Sequence, residues 1–252
     1  MRLLALQLSR HRFNSILALL LLLGTTVEAA EGWVLPRTEQ GQPDFQGVWL
    51  NATLTPMERP ASQAGQQFLS EDEIIALQTR TAQRRASDDA AAAVTAGRAI
   101  VSYNQFWRDS GDTVLSTGQT SLIVDPVSGL APIRPQAEAI RDYNFAHVSD
   151  SYQHMTVWDR CITRGMIASS AAGGRLKGVP VTEKLRAVER FTRVSEDTII
   201  WEVTITDPDI YTQAFTISMP LTLDDEYVMY EYACHEGNHA VANILRGGRV
   251  AD

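Results

Sequence analysis

The sequence predicts a mainly β domain whose strands form an antiparallel sheet that curls toward a barrel. Between Leu185 and Cys234, four apolar segments follow one another at hairpin spacing, which is typical of an antiparallel meander. In residues 199–206, Ile, Trp and Val recur with a period of two, so one face of that strand is directed into a core. Short turns rich in Asp, Ser and Pro separate the segments.

The remaining elements follow in order along a single domain, residues 45–252, after an extended lead-in at residues 30–44. Ser70 and Glu73 form a capping box, which begins an amphipathic helix that runs to about Arg85. The alanine-rich residues 86–99 are either a weak extension of this helix or a tether. The predicted strands are Phe45–Leu50, Thr120–Val124, Met155–Ile162, Leu185–Val194, 199–206, 215–221 and Tyr227–Cys234; Gln136–Phe145 is a short helix, and Asn238–Arg246 is a short C-terminal helix ended by Gly247 and Gly248.

Residues 1–29 have the pattern of a cleaved secretory signal peptide. Three arginines precede the apolar run Ile16–Leu23, and Val27 and Ala29 occupy the positions that a signal peptidase reads. That run is well short of the roughly 20 residues that cross a bilayer as a helix. The sequence therefore predicts an exported protein, periplasmic or extracellular, without a membrane span after cleavage; a retained N-terminal anchor is the alternative.

The charge of the chain argues against nucleic acid as a partner. Removal of the signal takes away three arginines and one glutamate, which changes the formal charge from −8 to −10. Affinity for nucleic acid depends on clustered Lys and Arg, and the chain has no basic run. It also lacks a Walker A motif, a dinucleotide fingerprint and a G-x-S-x-G elbow, so no cofactor is predicted.

Cys161 and Cys234 are the two cysteines of the chain. In an oxidising compartment such a pair is read first as a disulfide, with two buried thiols as the alternative. A bridge between them would close a long loop and contribute about 3–5 kcal/mol to stability in the chain-entropy model.

Several motifs resemble a family of exported bacterial β-rich proteins without an assigned activity. They are the segment from Pro43 to Trp49 (PDFQGVW), TPMERP at 55–60, SLIVDP at 121–126, Asp159-Arg160-Cys161, VERFTR at 188–193 and the closing YEYACHEGN at 230–238. The resemblance covers most of the exported chain and implies secretion and a β-rich fold. The chain departs from the family by lacking a β-rich stretch after Cys161, and it has His239 where the family commonly has tyrosine.

Gly47-Val48-Trp49 is also similar to the Gly-x-Trp opening of lipocalins. In that fold the tryptophan packs across the barrel floor against an arginine from the end of the chain, a role that Arg246 or Arg249 would take here. Together with the meander, this resemblance implies a lipocalin-like (calycin-like) barrel, with a β-sandwich as the alternative.

The motif H-E-G-N-H at residues 235–239 matches the zincin signature, yet it suits acid/base chemistry better than zinc. Gly237 disfavours the helix that zinc ligation needs, so no metal is predicted. The predicted catalytic residues are His235, Glu236 and Glu231, the last of which lies on the same strand face as His235. An imidazole exchanges a proton near neutral pH, and a neighbouring carboxylate raises the pKa of that imidazole. The alternative is that His235 and Glu236 cap the final helix.

A second set of residues is predicted to bind a ligand. Charged residues within apolar strands either face solvent or pair with a ligand inside, and aromatic residues either fill a core or line a cavity. The predicted ligand-binding residues are Trp158, Arg160, Arg190, Trp201 and Tyr232.

Three functional hypotheses follow. The first is an exported β-barrel protein that binds a small organic molecule and acts on it by metal-free isomerisation, dehydration or elimination. The second is a non-catalytic interaction or structural subunit of an envelope or extracellular assembly, with other protein subunits as partners. The third is a zinc-dependent hydrolase that uses H-E-G-N-H.

Overall fold

The computed structural model describes residues 33–94, 111–156, 159–160, 175–228, 236 and 239–251, without the side chains of residues 88–94 and 251. Within these residues one antiparallel sheet of five strands is accompanied by three α-helices. The strands are β1 Trp49–Leu50, β2 Ile123–Asp125, β3 Arg186–Arg193, β4 Thr198–Thr206 and β5 Phe215–Leu223. The helices are α1 Glu71–Val94, α2 Pro135–Ala146 and α3 Ala240–Ala251.

The sheet is organised around β5. On one side β5 pairs with β4, which pairs in turn with β3; on the other side β5 pairs with both β1 and β2. The predicted antiparallel sheet is therefore confirmed, and β3, β4 and β5 match the strands predicted at Leu185–Val194, 199–206 and 215–221. The described strands form an open sheet rather than a closed barrel, and the helices make the fold mixed α/β rather than mainly β.

The core lies on one face of β4 and β5. Alternate residues of both strands are buried there: Ile199, Trp201, Val203, Ile205, Phe215, Ile217, Met219 and Leu221. Burial of one such side chain stabilises the fold by roughly 1.5–3 kcal/mol. The covering layer consists of extended segments around Met57, Leu122 and Ile133, with α2 adding Ala137. Loops of the N-terminal half are therefore part of the core.

The N-terminal helix begins as predicted. The amide of Ser70 donates to Glu73 Oε2 at 2.8 Å, and the Glu73 amide donates to Ser70 Oγ at 3.3 Å, which is the reciprocal capping box. The helix continues to Val94, so the first part of the alanine-rich stretch extends it; residues 95–99 lie outside the described residues. Helix α2 also matches its prediction closely.

The strand predicted at Met155–Ile162 is wrong where the structure describes it. Tyr152–His154 is a 3-10 helix, and Asp159 lies in a turn. The Thr156 amide donates to Asp159 Oδ2 at 3.0 Å, while the Asp159 amide donates to Thr156 Oγ1 at 3.3 Å. These side chains satisfy local backbone groups and so compete with a strand ladder.

The C-terminal helix does not end at Gly247 and Gly248 but continues to Ala251. A Cβ atom at Gly248 would lie 2.5 Å from the Cβ of Ser149, so glycine lets α3 approach the turn after α2. Of the predicted strand Tyr227–Cys234, residues 227–228 are not in a strand and the remainder lies outside the described residues.

Trp49 is packed against an arginine, but not the one expected. The guanidinium carbon of Arg193, on β3, lies 5.2 Å from the centroid of the Trp49 ring, whereas Arg246 and Arg249 are on α3. The indole of Trp49 donates to the carbonyl of Phe45 at 2.9 Å. The Gly-x-Trp and VERFTR motifs therefore meet at one end of the sheet.

Among the described helices, none is both long and apolar enough to cross a membrane.

Candidate functional site

The segment Thr55–Pro60 is a loop of the covering layer. Its burial alternates, with Thr55, Met57 and Arg59 buried and Pro56 and Pro60 exposed. Backbone amides of Leu122 and Ile123 donate to the carbonyls of Pro56 and Met57 at 2.8 and 3.1 Å. This pairing places Arg59 on the buried side of the segment.

Two neutral acceptors hold the Arg59 guanidinium. Its Nε donates to Thr120 Oγ1 at 2.8 Å, and Nη1 donates to the Val127 carbonyl at 2.7 Å. The Thr120 hydroxyl in turn donates to the carbonyl of Gln66 at 2.6 Å. The arginine therefore joins residues 59–66 to residues 120–127, and its position is set by these partners.

Gly129 lies flat against this arginine. Its φ of +69° is in the left-handed region, and its carbonyl accepts from the Arg59 amide at 2.9 Å. A Cβ atom here would lie 2.4 Å from Ser121 Oγ and 3.1 Å from Arg59 Cζ. Only glycine meets both requirements without displacement of the guanidinium.

A cleft of about 300 Å³ opens beside Arg59. Small apolar residues such as Ala61, Ala64 and Leu130 form much of its wall. Arg59, Gln67 and Ser128 are the polar side chains in its lining. The cleft therefore has an apolar wall with a few polar groups, which is the usual character of a small-molecule site.

A second polar cluster lies near the core and is internally paired. Arg175 Nη2 lies 2.7 Å from Glu138 Oε1, and Arg175 Nη1 lies 3.4 Å from Glu58 Oε1. Glu58 also accepts from the amides of Ala131 and Arg175 at 2.9 and 3.2 Å. With two carboxylates around one guanidinium, this cluster joins the loops that carry Glu58 and Arg175 to α2.

Tyr211 lies within the electrostatic reach of this cluster. Burial, together with the negative charges of Asp207 and Glu58, raises the pKa of its phenol to about 12. Its ring packs edge-on against Phe215, with centroids 4.9 Å apart. The phenol is therefore protonated at neutral pH and belongs to the core.

Asp207 is a buried carboxylate that ends β4. It accepts from the Thr182 amide and hydroxyl, both at 2.9 Å, and from the Asp209 amide at 3.2 Å. Burial alone would raise the pKa of Asp207, but these hydrogen bonds outweigh it and lower the pKa below its ordinary value. The carboxylate therefore closes the turn Asp207-Pro208-Asp209 that follows β4.

The structure describes only one of the three predicted catalytic residues. His235 and Glu231 lie outside the described residues, and Glu236 is exposed in a turn. Cys161 and Cys234 also lie outside them, so the disulfide stays a prediction. Within the described part of the chain, no group of three His, Cys, Asp or Glu side chains is arranged to hold a metal ion.

The predicted ligand-binding residues do not meet in one cavity where the structure describes them. Trp201 is fully buried, and its indole donates to Glu189 Oε2 at 2.8 Å. Arg190 is exposed on the opposite face of the sheet, since it pairs with Glu202 while Phe191 pairs with Trp201. Arg160 lies in a turn, with a buried Nε that no hydrogen-bond acceptor of the described residues reaches. Trp158 and Tyr232 lie outside the described residues.

His147 and His154 form a packed cluster with Tyr143 that the sequence did not suggest. The ring of His147 stacks on Tyr143 at 3.9 Å, and His154 meets Tyr143 edge-on at 5.5 Å. Each Nδ1 lies within 2.9 Å of a backbone carbonyl, so Nδ1 carries the proton. The two histidines are half-buried rather than free surface residues, and they hold the end of α2.

Sequence reasoning missed Arg59, although a signal was present. The order Thr-Pro-Met-Glu-Arg-Pro places Thr55, Met57 and Arg59 on one side of an extended chain, and Met57 is apolar. That spacing puts an arginine on the apolar side.

Comparison of the chain with models of protein families, with curated proteins and with solved structures finds no match. The site is therefore interpreted from its own geometry.

Proposed function

We propose that this chain is an exported protein that binds a small organic molecule in the cleft beside Arg59. The observation that carries the proposal is the joint presence of a cavity of about 300 Å³ and a buried, positioned arginine in its lining. Ligand sites in proteins are mainly apolar concavities with a few placed polar groups, and about 300 Å³ suits a small ligand.

Chemical transformation of the ligand is a further part of this proposal. No carboxylate or imidazole of the described residues lines the cleft, so acid/base catalysis would depend on His235, Glu231 and Glu236. A closed lipocalin-like barrel likewise requires strands in addition to the five described. Binding is therefore the activity that the described residues support best.

The binding proposal is tested by a ligand-observed NMR screen of small neutral, anionic and cationic fragments against the purified protein. Ala64→Trp places a bulky side chain in the cleft, and Ala82→Trp makes the same change on an exposed position of α1. We expect fragments that bind the unaltered protein and the Ala82 variant but not the Ala64 variant. Absence of any fragment hit, or hits that are indifferent to Ala64→Trp, would refute the proposal.

The second candidate function, an interaction subunit, is favoured by the outer strand β3. No other described strand pairs with its outer edge, and Val188 is 50% exposed on it. Exposed strand edges are pairing sites unless they are blocked. If this function is correct, Val188→Lys should abolish an assembly that light scattering detects with the unaltered protein; a monomer at all concentrations argues against it.

The zinc hydrolase is the third candidate and rests on the H-E-G-N-H motif alone. Metal analysis of protein purified without chelators tests it. Well under one equivalent of zinc per chain removes the hypothesis, whereas one equivalent that is lost in His235→Gln supports it.

A further inference from the structure

Arg59 is a buried positive charge without a negative partner among the described residues. Its side chain is 9% exposed, and the ion pairs of the described residues do not include it. Arg175, by contrast, is matched by both Glu58 and Glu138. A buried charge is costly unless it is paired, so Arg59 requires either a compensating anion or access to water.

The guanidinium still has donors to offer. Arginine carries five N–H groups, and two of them are used by Thr120 and Val127, which leaves three. Because Nε and Nη1 are both anchored, the plane of the group is fixed before any ligand arrives. A planar, anchored fork favours a planar acceptor with two oxygens.

The lining of the cleft indicates the chemical character of the part of the ligand that does not contact Arg59. Ala61, Ala64 and Leu130 offer apolar contact, and Arg59 is the sole cation among the described residues of the lining. A phosphate monoester carries close to two negative charges, which a single cation does not balance. A carboxylate carries one charge, which Arg59 matches.

We infer that the ligand is a small organic carboxylate, whose anionic group is held by Arg59 and whose hydrocarbon part lies on the alanine-lined wall. This inference rests on the proposed function, since it names the ligand class of the same cleft. The carboxylate completes the charge balance that the described residues leave open at Arg59. Gly129 lets the backbone pack against the guanidinium that receives it.

The test compares benzoate with benzamide and phenyl phosphate by calorimetric titration of the purified protein. Benzamide keeps the ring and the planar head group but removes the charge, while phenyl phosphate adds charge. We expect benzoate to bind at least about tenfold more tightly than either, because charge-assisted hydrogen bonds are about twice as strong as neutral ones.

An isosteric variant tests the same point from the protein side. Gln67 lines the cleft, and its backbone carbonyl lies 3.2 Å from the Thr120 hydroxyl that accepts from Arg59 Nε. Gln67→Glu adds a carboxylate to the lining of the cleft and should reduce benzoate affinity by about tenfold or more through like-charge repulsion, with benzamide unaffected. Gln83→Glu makes the same change of charge on the exposed face of α1 and should leave both affinities unchanged.

The outcomes separate the inference from the proposed function. Equal binding of benzoate and benzamide that Ala64→Trp abolishes would overturn the carboxylate and leave the cleft as a ligand site. Tighter binding of phenyl phosphate would also overturn it. Absence of binding by any of the three compounds, together with a fragment screen without hits, would overturn both the inference and the proposed function.

Discussion

Tyr211 and Asp207 show how single buried groups tie the stability of this protein to pH. Both lie at the junction between the sheet and the loops that cover it, and both are shielded from solvent. Their pKa values shift in opposite directions, upward for the phenol and downward for the carboxylate. Each shift gives a prediction for a different end of the pH range.

Tyr211 should make the protein sensitive to alkali. Since the folded state holds the phenol proton up to about pH 12 and an unfolded tyrosine loses it near 10, its contribution is complete below about pH 10 and is lost as pH rises toward 12. As the pH rises from about 8 to about 11, the free energy of unfolding of the unaltered protein should fall. The fall should be about 1 kcal/mol smaller in Tyr211→Phe. Urea titrations at the two pH values measure this difference; equal losses would contradict it.

Asp207 should make the protein sensitive to acid. A carboxylate with a lowered folded pKa contributes stability above its unfolded pKa of about 3.9, and this is lost as pH falls through the folded value. Asp207→Asn should cost about 1–3 kcal/mol at neutral pH, because Thr182 loses a charged acceptor, and should flatten the acid dependence.

Asp209→Asn is the matched control for this prediction. Asp209 is exposed and pairs with Lys184 at 2.9 Å, and such a surface pair contributes about 0–1 kcal/mol. A loss of stability at Asp209 as large as that at Asp207 would show that burial and hydrogen bonding are not the cause.

At the scale of elements, the turn after β2 holds Arg59 in place. Gly129→Ala combines a strained φ with a clash against Ser121 and Arg59, whereas Gly41→Ala has a similar φ of +78° and nothing within 4 Å. Strain of this kind costs about 1–3 kcal/mol. We expect Gly129→Ala to lower the melting temperature more than Gly41→Ala and to weaken fragment binding. Equal effects on melting would mean that the space around Gly129 is not restrictive.

Elements were predictable where one signal dominated. The alternation from Ile199 to Ile205 defines β4 because one sheet face is buried, and the Ser70–Glu73 box defines the start of α1 because it satisfies end groups locally. The turn around Asp159 and the passage of α3 through Gly248 were not predictable, because they depend on side-chain partners and on contact with Ser149.

At the scale of the whole molecule, the sheet provides the core and the loops that cover it provide the site. The candidate site was missed because the analysis of single segments does not show that Thr55–Pro60 and Thr120–Gly129 pack together. The packing of these two segments buries the charge of Arg59 and forms the cleft. Topology, rather than a motif, creates the site.

Export predicts that Cys161 and Cys234 are joined. Titration of free thiols under denaturing conditions should find none in protein recovered from an oxidising compartment, and two after reduction. Two reactive thiols without reduction would remove the disulfide from the account of stability.

The central claim, that the Arg59 cleft binds a small organic carboxylate, is tested most directly by mapping backbone amide shifts in NMR spectra as benzoate is added. We expect saturable shifts that are largest at Ala61, Gly65, Val127 and Ser128, all of which line the cleft. Saturable shifts that are largest away from these residues, or no saturable shift at all, would contradict it.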